Sequence, residues 1–241
     1  MSEDRVPPAL GVRVWRRVRF WEQEYSLSAL LVMLVVTLFI VTPLARSAVA
    51  GSEIMLSFVA VLSVTGVAAL SGRALPALAV AALALVGIGI DWFAHLRHEQ
   101  LLTLLDFLMR LGFVLLLGVI VTIQVFRPGS VTHHRVQGAI CVYLLAGLAF
   151  AYGFDILLLL DPAALHLPER VNGTPARLGL LRYFSFVNLT TLGYGDILPL
   201  SPAARSMATA EALFGQLYPA VMIARLISLE LLGRRARNPS G

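Results

Sequence analysis

Hydrophobic and polar positions fall in long blocks along this chain. Apolar runs cover Ser28 to Ala45, Ile54 to Leu70, Leu75 to Ile90, Leu101 to Phe126, Val136 to Leu160 and Ala204 to Leu232. At about 1.5 Å of rise per residue, helices of these lengths cross most or all of a bilayer's hydrocarbon core. The pattern predicts an all-α membrane protein with six transmembrane helices: a four-helix N-terminal bundle, then an outer helix, a non-spanning helix and an inner helix. Ser71-Gly72-Arg73-Ala74 allows only an antiparallel hairpin between the second and third runs, and Arg127-Pro128-Gly129 ends the fourth. The chain therefore divides into a basic segment (1–26), a four-span bundle (27–126), a linker (127–135), a two-span domain (136–232) and a short tail (233–241).

Between the last two runs lies the only long polar connection, with Asp161-Pro162, Pro168 and Asn172-Gly173. The apolar segment after it, Leu178 to Leu189, is too short to cross and suits a re-entrant helix, which survives at membrane depth only inside protein or beside a water-filled cavity. Its partially negative carboxy-terminal end favours a cation there. Thr190-Thr191-Leu192-Gly193-Tyr194-Gly195-Asp196 follows. Gly193 and Gly195 tolerate positive φ, so successive carbonyls can turn toward one axis. Four copies of such a loop would stack rings of oxygen that replace the water shell of a potassium ion.

Thr191-Leu192-Gly193-Tyr194-Gly195 resembles the potassium-channel signature, with Leu192 where valine is commoner. Tyr183-Phe184 sit where that family has an aromatic pair, and Gly215 sits at its inner-helix hinge glycine. The resemblance is specific from Arg135 to Glu230 and only topological before that. It implies a homotetramer conducting potassium passively. The ion ligands are then the carbonyls of Thr191, Leu192, Gly193 and Tyr194 and the Thr191 hydroxyl, with Gly195 closing the turn. Thr190 and Asp196 flank the loop, Tyr183 and Phe184 form a cuff around Tyr194, and Asp196 makes an acidic ring that concentrates cations.

The family's filter glutamate, found in some two-helix channels nine residues before the mouth aspartate, is Val187 here. Asn188 and Glu211 are expected to hydrogen-bond behind the filter instead, the other reading being a carboxyl satisfied by helix ends. A helical wheel puts Gln216, Pro219, Ile223 and Ile227 on one face of the sixth span, lining the cavity and inner gate. Gly215 and Pro219 are flexure points or a close contact and a static kink. Arg225 lies on the opposite face, snorkelling to the headgroups or pairing with a neighbouring subunit.

Composition then narrows the class. The chain is 58% hydrophobic, and its 19 basic residues are all arginine. They flank the apolar runs, which sets topology and argues against a nucleic-acid face. With both termini cytoplasmic, eleven arginines (five N-terminal, Arg73, Arg127, Arg135 and three C-terminal) lie inside against six outside (Arg46, Arg97, Arg170, Arg177, Arg182, Arg205). This orientation puts the filter at the outer mouth. The lack of lysine hints at a GC-rich, bacterial genome and so a bacterial plasma membrane. The single cysteine, Cys141, excludes an intrachain disulfide.

Residues 11 to 25 read as a headgroup-layer helix or as a solvated basic tail. Ala48-Val49-Ala50 resembles a signal-peptidase site, but the leader before it is too long and the apolar run itself spans. The fourth span holds one arginine, Arg110, with Asp106 four residues earlier, so steep voltage sensing is not expected. His133 and His134 are a silent pair or a cytoplasmic titrating site, and Asp155 is an intramembrane acid that anchors the outer connection or carries function. No catalytic constellation, cofactor motif or tethered ligand-binding domain is expected, and the partners are further copies of the chain, lipid and potassium. The alternatives are a poorly selective cation pore, a non-conducting modulatory subunit, and an energy-coupled transporter, which would be expected to carry four such loops in one chain.

Overall fold

The computed structural model describes residues 27–28, 30–41, 86, 100–126, 133–168 and 174–237. The basic segment, the signal-like Ala48-Val49-Ala50 and, apart from Val86, the second and third spans lie outside the described residues.

Helix α1 (Leu30–Ile40) runs into a π-helical turn at Thr37–Val41. It is followed by α2 (Gln100–Val125), α3 (His133–Leu160), β1 (Leu165–His166), α4 (Thr174–Leu189), β2 (Leu198–Pro199) and α5 (Pro202–Arg237). The protein is thus mostly helical. Among the described residues three stretches, Leu101–Val125, Arg135–Leu160 and Pro202–Ser228, are long and apolar enough to cross a membrane. With 16 residues, α4 is about 24 Å long, shorter than those three helices, and carries Arg177 and Arg182.

Two helices outrun their apolar blocks. The third begins at His133 rather than Val136, taking in His133, His134 and Arg135, because nothing between His133 and Val136 breaks a helix. The fifth begins at Pro202, where proline's missing N–H costs nothing, and Ser201 caps it by accepting from the Ala204 N–H at 3.1 Å.

One core joins α1, α2 and α3 through Leu30, Leu117, Val121, Cys141 and Leu145, and Met222 of α5 closes it. Ser28 Oγ donates to Gln137 Oε1 at 2.6 Å, tying the residues before α1 to α3. A second core at the far end of α3 gathers Phe154, Leu158, Leu165, Leu181, Phe184, Ile197 and Ala204 around the connection. There β1 and β2 pair antiparallel, Leu165 with Pro199 and His166 with Leu198. That short ladder fastens the segment after α3 to the segment after the glycine-rich loop.

The helices α3, α4 and α5 meet through glycines. A Cβ at Gly147 would lie 2.8 Å from the Phe186 ring, and one at Gly215 would collide with the Leu189 carbonyl. Small residues of this kind let helix backbones approach inside a membrane.

Candidate functional site

The loop begins at the way α4 ends. Thr191 N–H donates to the Asn188 carbonyl and Leu192 N–H to the Val187 carbonyl, each at 2.9 Å. These paired bonds form a Schellman motif with Thr191 at its left-handed position, φ 57°. Glycine is the usual occupant, and a β-branched residue there carries strain of about 1–3 kcal/mol. Two hydrogen bonds hold it: Thr191 Oγ1 donates to the Thr190 carbonyl at 2.7 Å and accepts from Gln216 Nε2 at 2.8 Å. Gln216, on α5, thereby touches the first residue of the loop.

Positive φ then recurs at Gly193 (60°) and Gly195 (76°), and among the described residues these two and Thr191 are the only such positions. Leu192 and Tyr194 fall between them. Alternating the hand of successive residues keeps N–H groups on one side of the chain and carbonyls on the other. A backbone of this kind suits a row of oxygens of the type that dehydrated cations take as ligands. Leu192 and Tyr194 are 56% and 65% exposed on the single chain.

Around the loop, Tyr194 stacks on Tyr183 with ring centroids 6.3 Å apart and planes 8° from parallel. The Tyr183 hydroxyl lies close to the Asp196 carboxylate, at the end of the loop. Phe184 turns the other way, edge-on to Phe154 at 4.9 Å, because one step along a helix rotates the side chain by roughly 100°. Among the described residues of one chain, the ring stacked on Tyr194 is that of Tyr183. Thr190 Oγ1 donates to the Phe186 carbonyl at 2.7 Å, and Tyr143 OH donates to the Leu189 carbonyl at 3.1 Å.

Behind the loop, Glu211 is fully buried, and its direct hydrogen-bond partner is Ser185. Asn188 lies alongside the same carboxyl, but its Nδ2 forms no hydrogen bond of ordinary geometry. Ser185, which lies nearly one turn before Asn188 on the same face of α4, meets the carboxyl beside it. Helical spacing was the available signal for it. Val187 sits buried and apolar.

At the opposite end of α4, Arg177 Nε lies 2.8 Å from Asp155 Oδ1, and its guanidinium sits 5.9 Å from the Phe107 ring centroid of α2. Asp155 is fully buried, and Arg110 pairs with Asp106 at 2.9 Å. On α5, Gln216, Ile223 and Ile227 are exposed, Pro219 is half-buried and Gly215 is buried. Pro219 has no N–H to give the Gly215 carbonyl. Tyr218, beside it, donates to the Ala139 carbonyl at 2.9 Å and stacks between Tyr143 and Phe214. Arg225 is exposed.

Residues 142–230 match a family model described as an ion channel. The match runs from the middle of α3 through α4 and the loop to the later turns of α5. No curated protein matches the chain. This region is similar to a passive ion channel domain, in keeping with an integral membrane protein.

Proposed function

We propose that the chain is one subunit of a potassium-selective channel that conducts passively as a homotetramer. The observation that carries this reading is positive φ at every second residue from Thr191 to Gly195, in a loop that follows the carboxy-terminal end of α4, a backbone that suits a file of carbonyls on one side. One loop per chain supplies a quarter of a ring, and four copies around an axis complete it. Leu213, Leu217 and Leu231, exposed beside the Gln216–Ile223–Ile227 face of α5, suit burial against neighbouring subunits. The Thr191, Leu192, Gly193 and Tyr194 carbonyls bind the ion in turn, and permeation proceeds by hopping between sites that bind strongly enough to admit it and weakly enough to release it.

Both termini are cytoplasmic in this reading, the filter faces outward, and the Asp196 carboxylates draw cations to the mouth. The test is flux from reconstituted protein in mixed gradients of potassium, rubidium and sodium. Passage of potassium and rubidium well above sodium is the expected result. Equal permeability would leave a cation pore and remove the selectivity.

A further inference from the structure

Three helices meet at one polar point in the apolar interior behind the filter. Glu211 from α5 and Ser185 from α4 are both fully buried and in hydrogen-bond contact. Ser185 Oγ also lies 2.6 Å from the carbonyl of Gly147 on α3. The Gly147 carbonyl has no proton to give, and a serine hydroxyl has one. If that proton serves Gly147, the Ser185 oxygen meets Glu211 only as an acceptor, and the carboxyl must supply the second proton. An ionised carboxylate would leave one of the two close oxygen pairs without a proton between them.

The surroundings agree with the neutral form. Among the described residues no basic group pairs with Glu211, whereas Asp106 pairs with Arg110 and Asp155 with Arg177. A buried carboxylate without a cation is strongly disfavoured. Tyr143, which faces Glu211 from α3, has its hydroxyl committed to the Leu189 carbonyl. The Asn188 amide can donate to a carboxyl oxygen in either state, so it does not discriminate.

We propose that Glu211 is a protonated carboxyl and a positioning residue of the filter: it donates to Ser185 Oγ, which donates to the Gly147 carbonyl, a relay that locks α4 between the inner and outer helices. Ser185 stands one turn before Leu189, whose carbonyl abuts Gly215 and leads into Thr191. Losing the relay frees α4 to shift, and the carbonyl file loses its register. The effect on ion discrimination rests on the potassium-channel reading, whereas the location of the proton does not.

Infrared spectroscopy of the full-length protein in lipid at neutral pH, paired with flux, tests this. Wild type is expected to show the C=O stretch of a protonated carboxyl that Glu211→Gln lacks. Because the glutamine amide can donate to Ser185 in place of the acid, Glu211→Gln is expected to hold the potassium-to-sodium flux ratio within about twofold, while Glu211→Ala and Ser185→Ala lower it about tenfold. No band lost in Glu211→Gln would overturn the proposal, as would a folded Glu211→Gln as impaired as the alanine variant. If Glu211→Ala fails to fold, Ser185→Ala and the spectrum still decide. A wild type that fails to discriminate potassium while showing the band sinks the channel reading and leaves the proton in place.

Discussion

Gly215 of α5 lies directly against the carbonyl of Leu189, where the short helix α4 ends. The obstacle to a side chain there is backbone, which cannot swing aside as a flexible side chain would.

Gly215→Ala is therefore expected to destabilise by about 1–3 kcal/mol or more through overpacking. Thermal unfolding in detergent or lipid measures it. Gly118→Ala is the control, since a Cβ there meets nothing within 4 Å and helix propensity favours alanine by about 1 kcal/mol. Equal midpoints for the two variants would contradict the packing reading of Gly215.

Gln216→Leu removes the amide that holds the Thr191 hydroxyl, while Thr191 keeps its left-handed strain. With a net hydrogen bond of about 0.5–1.5 kcal/mol at stake, the potassium-to-sodium permeability ratio should fall roughly two- to tenfold. Reversal potentials in mixed solutions read this out, and an unchanged ratio would mean that the contact does not support the filter.

Asp155 and Arg177 should show asymmetric costs. Removing Arg177 strands a fully buried carboxylate, so Arg177→Met is expected to lose up to about 3–5 kcal/mol, tempered by the 27% exposure of the Arg177 side chain. Asp155→Asn should cost less, and the double variant should recover much of the loss. A thermal-stability double-mutant cycle measures the coupling. Additive losses would show that the two side chains act independently.

Arg110 and Asp106 cancel one another on α2. Since one elementary charge crossing the whole membrane yields only about 2.3 kcal/mol per 100 mV, a neutral pair supplies almost none of the energy that steep gating needs. Conductance is expected to vary shallowly with voltage. A steep activation curve in planar-bilayer recordings would place gating charge elsewhere in the chain.

The membrane-crossing lengths of α2, α3 and α5 were legible because each is a long apolar run. The loop was legible because two glycines flanking one residue have few structural uses between such runs. Ser185 was harder to read, since a hydroxyl inside an apolar helix carries no charge and gains its importance only when Gly147 and Glu211 arrive from distant parts of the chain. The same holds for Asp155 with Arg177: each arginine beside the connection looked like a topology marker until folding selected one as a partner. Phe184 looked equivalent to Tyr183 as a neighbour in sequence, yet helical rotation sends it into a different core. The left-handed Thr191 was also hidden, because a β-branched residue gives no local warning that it will stand where glycine usually does.

Tyr218 is bonded to Ala139 and wedged among aromatic rings one position before Pro219. Tyr218 thus clamps α5 to α3 just before the proline, where a backbone bond is missing, and Met222 packs into the shared core one turn further on. In the proposed channel, a swing of α5 beyond Met222 would carry a spin label at Ile227 and leave one at Leu213 still, and the loop at Thr191 could keep its spacing through each opening.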